Sequence, residues 1–112
     1  MINNEQCIDF LKNELENKGE ISLTVNGDSM LPILKNGDMV KVQNCNLYKL
    51  GDIVAYFLVV DGKLKLIVHR VIFVRKTYVL TKGDNNEFID TMKVGYNQIL
   101  GKISFGEQVY NG

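Results

Sequence analysis

The amino-acid sequence predicts a mainly β fold: about seven antiparallel strands that close into a barrel or sandwich, behind one short N-terminal helix. Three observations lead there. The hydrophobic period changes once, near Gly19, from helical spacing to alternation. Beyond that point strand-like runs follow one another with turn signals between them and no crossover helix, which favours antiparallel pairing. Asp61-Gly62, between two strand-like runs, is a strong hairpin signal.

Each element follows from its own pattern. Cys7, Ile8, Leu11 and Leu15, with Phe10 alongside, recur at helical steps between charged residues, predicting a helix from residue 4 to about 18. Asn3 or Asn4 suits its start and Gly19 its end. Ile21, Leu23 and Val25 alternate with polar residues, as a half-buried strand does. Met39 to Gln43 reads as a second strand. Leu47 to Asp52 forms a turn into a strand from Ile53 to Val60, and Asp61-Gly62 joins that to a long strand from Lys63 to Val74. Arg75-Lys76 turns the chain and Thr77 to Thr81 returns it. Lys82 to Asn86 is a polar loop, and Asn97 to Val109 holds one or two last strands around Gly101 and Gly106.

The totals restrict the function. A chain of 112 residues suits one domain, expected over 1–112 with 1–19 helical and 20–112 β. With zero net charge it lacks the basic excess that nucleic acid demands of a partner. Cys7 and Cys45 sit in no metal-binding spacing and one histidine cannot complete a ligand set, so no metal and no cofactor are expected. Two unpatterned cysteines fit a reducing compartment. The longest uncharged apolar run, Ile53 to Val60, is far short of the roughly 20 residues of a membrane helix. The N-terminus lacks the basic-then-apolar layout of a leader. Together these predict a soluble, cytoplasmic protein, with peripheral contact to a membrane surface left open.

The candidate chemistry centres on Asn26 to Asp38. This stretch puts Ser29 on a Gly-Asp turn, follows it with Met30-Leu31-Pro32, and ends on a second Gly-Asp turn. A serine so placed can present its hydroxyl while backbone N–H groups face a reacting carbonyl, although turn chemistry alone also explains such a cluster. A base is therefore needed. His69, the only histidine, lies in the run Leu66 to Val74 and by alternation shares a face with Ile67, Val71 and Phe73, with Arg70 opposite. A structural histidine and a general base both fit that position. Asp84 and Asp90 are the candidate acids, since a carboxylate on one ring nitrogen fixes the tautomer of a catalytic imidazole.

Gly27-Asp28-Ser29-Met30-Leu31-Pro32, Gly37-Asp38, Gly51-Asp52-Ile53-Val54, Val68-His69-Arg70-Val71, Thr81 to Asn86 and Leu100-Gly101-Lys102 together resemble the ordered boxes of type I signal peptidases, a superfamily that also holds the LexA-like repressors. The likeness spans residues 27 to about 104. Bacterial signal peptidases and LexA-like proteins carry a lysine where this chain has His69. The archaeal and endoplasmic-reticulum type places a histidine before Arg-Val, as here. What the resemblance implies is a coiled antiparallel fold of irregular barrels and a serine endopeptidase. In it Ser29 is the nucleophile, His69 the general base and Asp90 the acid, while Asp84 orders the loop or backs up the site. The implied substrate is a leader or precursor peptide, bound as an extended strand with small residues before the cut. The sequence departs from the pattern in lacking a membrane anchor and large insertions. It also has Gly27 where many members carry a serine that helps bind the oxyanion, which leaves the backbone N–H of Ser29 for that task. The alternative expectation is a non-catalytic peptide-binding or dimerisation module on the same fold.

Overall fold

The computed structural model describes residues 2–104. Helix α1 spans Asn4–Lys18. The Asn3 side chain accepts from Gln6 N–H while the Gln6 side chain reaches back to Asn3 N–H, a reciprocal cap that satisfies two otherwise orphaned donors. Gly19 closes the other end, its N–H bonded to the Leu15 carbonyl. Leu15 is buried, and Ile8 and Leu11 pack against the same core; Phe10 is exposed.

Seven strands follow: β1 (Glu20–Thr24), β2 (Met39–Gln43), β3 (Ile53–Val60), β4 (Lys63–Val74), β5 (Tyr78–Lys82), β6 (Val94–Gly95) and β7 (Ile99–Ser104). They form one antiparallel sheet in the order β1-β2-β7-β3-β4-β5-β6, so the mainly β, antiparallel expectation holds. Two details differ from the sequence reading. The two-residue strand β6 lies in a stretch to which the sequence assigns no element, because two residues carry no readable period. A 3-10 turn at Tyr96–Gln98 delays the last strand to Ile99, and the stretch around Gly106 lies outside the described residues.

Burial explains why β2 and β3 read so differently. In β2 only Val40 and Val42 point inward, which gives clean alternation. In β3 the sheet is covered on both sides. Ile53, Ala55 and Phe57 join one core with Val25, Met30, Leu34, Val40, Val42 and Ile103, while Val54 and Tyr56 join a second with Val71, Val79, Val94 and Ile99. A strand buried on both faces must be largely apolar, as Ile53 to Phe57 is, whereas Val59 and Val60 beyond are exposed. Asp61 and Gly62 both take positive φ, 51° and 76°, the conformation a two-residue hairpin turn needs.

The pairing of β4 is what makes room for a site. Lys63 to Arg70 pair with β3, but β5 joins β4 only from Arg70 onward. Among the described residues the other edge of Lys63 to His69 is therefore without a partner strand. At the end of the sheet β1 pairs, among the described residues, only with β2. A bulge between Val71 and Phe73 then breaks the alternation, and Phe73, expected on the His69 face, is 46% exposed.

Candidate active site

Ser29 sits on a loop tied at its base. Val25 N–H donates to the Asp38 carbonyl and Gly37 N–H to the Val25 carbonyl, each at 2.8 Å. Within the loop, Asn36 Oδ1 accepts from Gly27 N–H at 2.8 Å. Met30 and Leu34 are almost wholly buried in the first core. These two side chains anchor the loop, and Ser29, immediately before Met30, stands beside His69 of β4. Burying such a pair contributes roughly 1.5–3 kcal/mol per side chain.

The loop Lys82 to Asn86 grips Ser29 from the other side. Asn85 N–H donates to the Ser29 carbonyl at 2.8 Å, and the Asn85 side chain donates to the Asp28 carbonyl at 3.1 Å. Gly83 lies so close that a β-carbon there would stand 2.7 Å from the Ser29 carbonyl oxygen and 2.6 Å from Asn86 Nδ2. Only glycine lets the two loops meet at this distance.

His69 projects from β4, opposite Val54. Its Nε2 lies 3.1 Å from Ser29 Oγ and its Nδ1 2.6 Å from Asp90 Oδ2. The structure thus brings Ser29, His69 and Asp90 into one hydrogen-bonded line. The histidine side chain is 12% exposed and the aspartate 24%, so the pair is shielded without being sealed. Asp90 is delivered by its own backbone, whose N–H bonds the Thr81 carbonyl at the end of β5.

Two residues in this constellation have no counterpart among the sequence candidates. Thr81, fully buried, donates its hydroxyl to Asp90 Oδ2 at 2.8 Å, and Tyr56 OH lies 3.4 Å from the same oxygen and 3.2 Å from Thr81 Oγ1. Burial pushes the Tyr56 phenol up to about 12, with the Asp90 charge adding to the rise, so it stays protonated and able to donate. The available signal was a hydroxyl at two inward-facing strand positions, since buried polar groups need partners.

Asp84 is elsewhere. Arg70, on the opposite face of β4 from His69, donates Nε–H to Asp84 Oδ1 and Nη2–H to Oδ2, both at 2.8 Å, and Nη1–H to the Gly51 carbonyl. The guanidinium fork holds the Asp84 carboxyl below its usual range, against the opposing effect of burial. Asp84 makes no hydrogen bond to His69 among the described residues.

The Ser29–His69 pair opens into a cleft of about 610 Å³. Leu23 to Asn26 form one wall and Leu64 to Val68 the other. Ser29 N–H has no hydrogen-bond partner among the described residues and remains available to an oxyanion. Gly27 takes φ +89°, left-handed backbone on which a serine is strained, so the loop in this form suits glycine at that departure from the family pattern. Among the described residues no group of histidine, cysteine and acidic side chains is placed to hold a metal, and no helix is long and apolar enough to cross a membrane.

No curated protein and no solved structure matches the chain. Residues 2–104 match the family described as Peptidase S24-like, which coincides with the described fold from α1 through β7. With a mainly β sheet of this topology and a family match across it, the chain belongs to the S24-like peptidases.

Proposed function

We propose that the protein is a serine endopeptidase of the Ser-His-Asp type, with residues 1–112 forming one catalytic unit. The observation that carries the reading is the unbroken line Ser29 Oγ, His69 Nε2, His69 Nδ1, Asp90 Oδ2. Ser29 Oγ attacks the scissile carbonyl while His69 Nε2 takes its proton, and Asp90 holds Nδ1–H and stabilises the imidazolium. The tetrahedral oxyanion rests on Ser29 N–H. Collapse breaks the C–N bond, His69 returns the proton to the leaving amine, and an acyl-enzyme remains on Ser29. Water, deprotonated by His69, then releases the acid. A histidine rather than a lysine at the base position, with an aspartate behind it, supports a mechanism like that of the archaeal and endoplasmic-reticulum type of signal peptidase.

The substrate is a leader or precursor peptide with small residues before the cut, bound as an extended strand. The cleft supports this, because it runs between the partnerless edges of β1 and β4, where main-chain hydrogen bonds can recruit an added strand. Cys7 and Cys45 are both free thiols, in keeping with a cytoplasmic location.

Labelling with a fluorophosphonate and hydrolysis of quenched peptides carrying alanine before the cut test the mechanism. The label is expected on Ser29 in the wild type and lost in Ser29→Ala. Ser29→Ala and His69→Ala are each expected to cost hydrolysis about 10⁴-fold or more, with the double variant little worse, since such residues act as a unit. Additive losses would count against the mechanism. Peptide binding without labelling or turnover would move the reading to a peptide-binding module on the same fold.

A further inference from the structure

Resting on the strand-addition reading above, we propose that a second cavity, of about 230 Å³, is a specificity pocket for the second residue before the cut and takes an apolar side chain of leucine or methionine size. Tyr56, Leu58, Ile67, Met92 and Val94 give it apolar walls, and His69 and Asp90 stand at one end. Its volume is below the roughly 300–1,000 Å³ of a small-molecule site and suits a single side chain.

The strand register places it. Val54 pairs with His69 and Tyr56 with Ile67, so these four side chains share one face of the sheet, while Leu66 and Val68 share the other face with Ala55 and Phe57. Ile67 and His69 line both this pocket and the Ser29 cleft, so the free edge of β4 divides the two. A peptide laid along that edge sends successive side chains to opposite faces. The residue whose carbonyl meets Ser29 Oγ turns its side chain toward Met30 and Val68. The residue before it then turns toward Ile67 and Met92, over the mouth of the pocket.

Apart from Thr91, the polar groups around the mouth are already engaged, which favours an apolar guest. Asp90 Oδ2 is held by His69, Thr81 and Tyr56. Gln98 bonds the Phe57 carbonyl and Gly95 N–H. Lys93 Nζ lies over the Tyr78 ring at 4.7 Å.

The test uses the Ser29→Ala protein and three peptides, with alanine at the cut and leucine, glycine or aspartate at the residue before it. Binding is read by fluorescence anisotropy and by the ¹³C-methyl signal of Met92. The leucine peptide is expected to bind about ten-fold tighter than the glycine peptide and to shift the Met92 signal. Met92 is 59% exposed and tolerates a larger residue; Met92→Trp plugs the pocket and is expected to abolish the leucine preference while leaving glycine-peptide affinity unchanged. Equal affinity for all three peptides, or a uniform loss in Met92→Trp, overturns the pocket. Hydrolysis of the same peptides by the wild type judges the peptidase reading separately. Discrimination without hydrolysis keeps the pocket and sinks the peptidase, hydrolysis without discrimination does the reverse, and no binding at all sinks the pocket.

Discussion

Asp84 and Asp90 lie six residues apart around one loop and meet opposite kinds of partner. Asp84 meets a full positive charge, the bidentate fork of Arg70. Asp90 meets the Nδ1 side of an imidazole and two hydroxyls. The difference comes from a single strand, because neighbouring residues of β4 face opposite ways, so Arg70 and His69 draw the two carboxylates to opposite sides of the sheet. A carboxylate already satisfied by a guanidinium has a fixed charge and a structural task. In the mechanism proposed above, Asp90 instead faces the imidazolium that forms during reaction.

The sharpest way to break this contrast is Asp90→Asn, expected to lower kcat about 10⁴-fold on a quenched alanine peptide by allowing the wrong imidazole tautomer. A larger loss in Asp84→Asn would exchange the two roles. Next in size is Gly83→Ala. Its β-carbon collides with the Ser29 carbonyl, and a misplacement near 1 Å is expected to cost roughly 10²-fold in kcat with the protein still folded by circular dichroism. Thr81→Val removes one donor to Asp90 and is expected to cost about ten-fold in kcat with KM unchanged, recovered in Thr81→Ser. Unchanged kinetics would leave Tyr56 as the sole support behind the acid. Asp84→Asn is expected to have the smallest kinetic effect, a few-fold, and to lower Tm by about 5 °C.

The last variant also has a pH signature. Arg70 depresses the folded-state pKa of Asp84, so the stability from the pair is complete above the unfolded value of 3.8 and is lost as pH falls through the folded value. The Tm gap between wild type and Asp84→Asn is therefore expected to be constant at neutral pH and to close only in strong acid. A gap that closes between pH 5 and 7 would assign the stabilising charge to another group.

These assignments were legible in the sequence to different depths. The strands with clean alternation, and the hairpin at Asp61-Gly62, follow from local patterns that the two cores reinforce. Ser29 and His69 stand out because each is an unusual residue in its setting, a serine between glycine turns and an imidazole in an apolar strand. Asp90 does not, because its position depends on the backbone bond to Thr81 that folds the loop back on β5. The resemblance nominated it where spacing left Asp84 equally open. Thr81 and Tyr56 were missed because each reads as an ordinary strand former. Only the register, which pairs Val71 with Thr81 and Tyr56 with Ile67, turns them toward one carboxylate.

The unpaired edge of β4 carries a liability of its own. A stretch of strand open to an added strand is equally open to the edge of another copy, and such edges seed aggregation unless something blocks them. Along this stretch Lys63 and Lys65 alternate with Leu64 and Leu66, both lysines exposed, while Glu20 and Lys41 pair at the start of β1. Two copies meeting edge to edge through β4 would set lysines against lysines, whereas a peptide without such charges meets no repulsion. Lys63 and Lys65 thus put like charges where a second copy would pair, which discourages self-assembly along this edge.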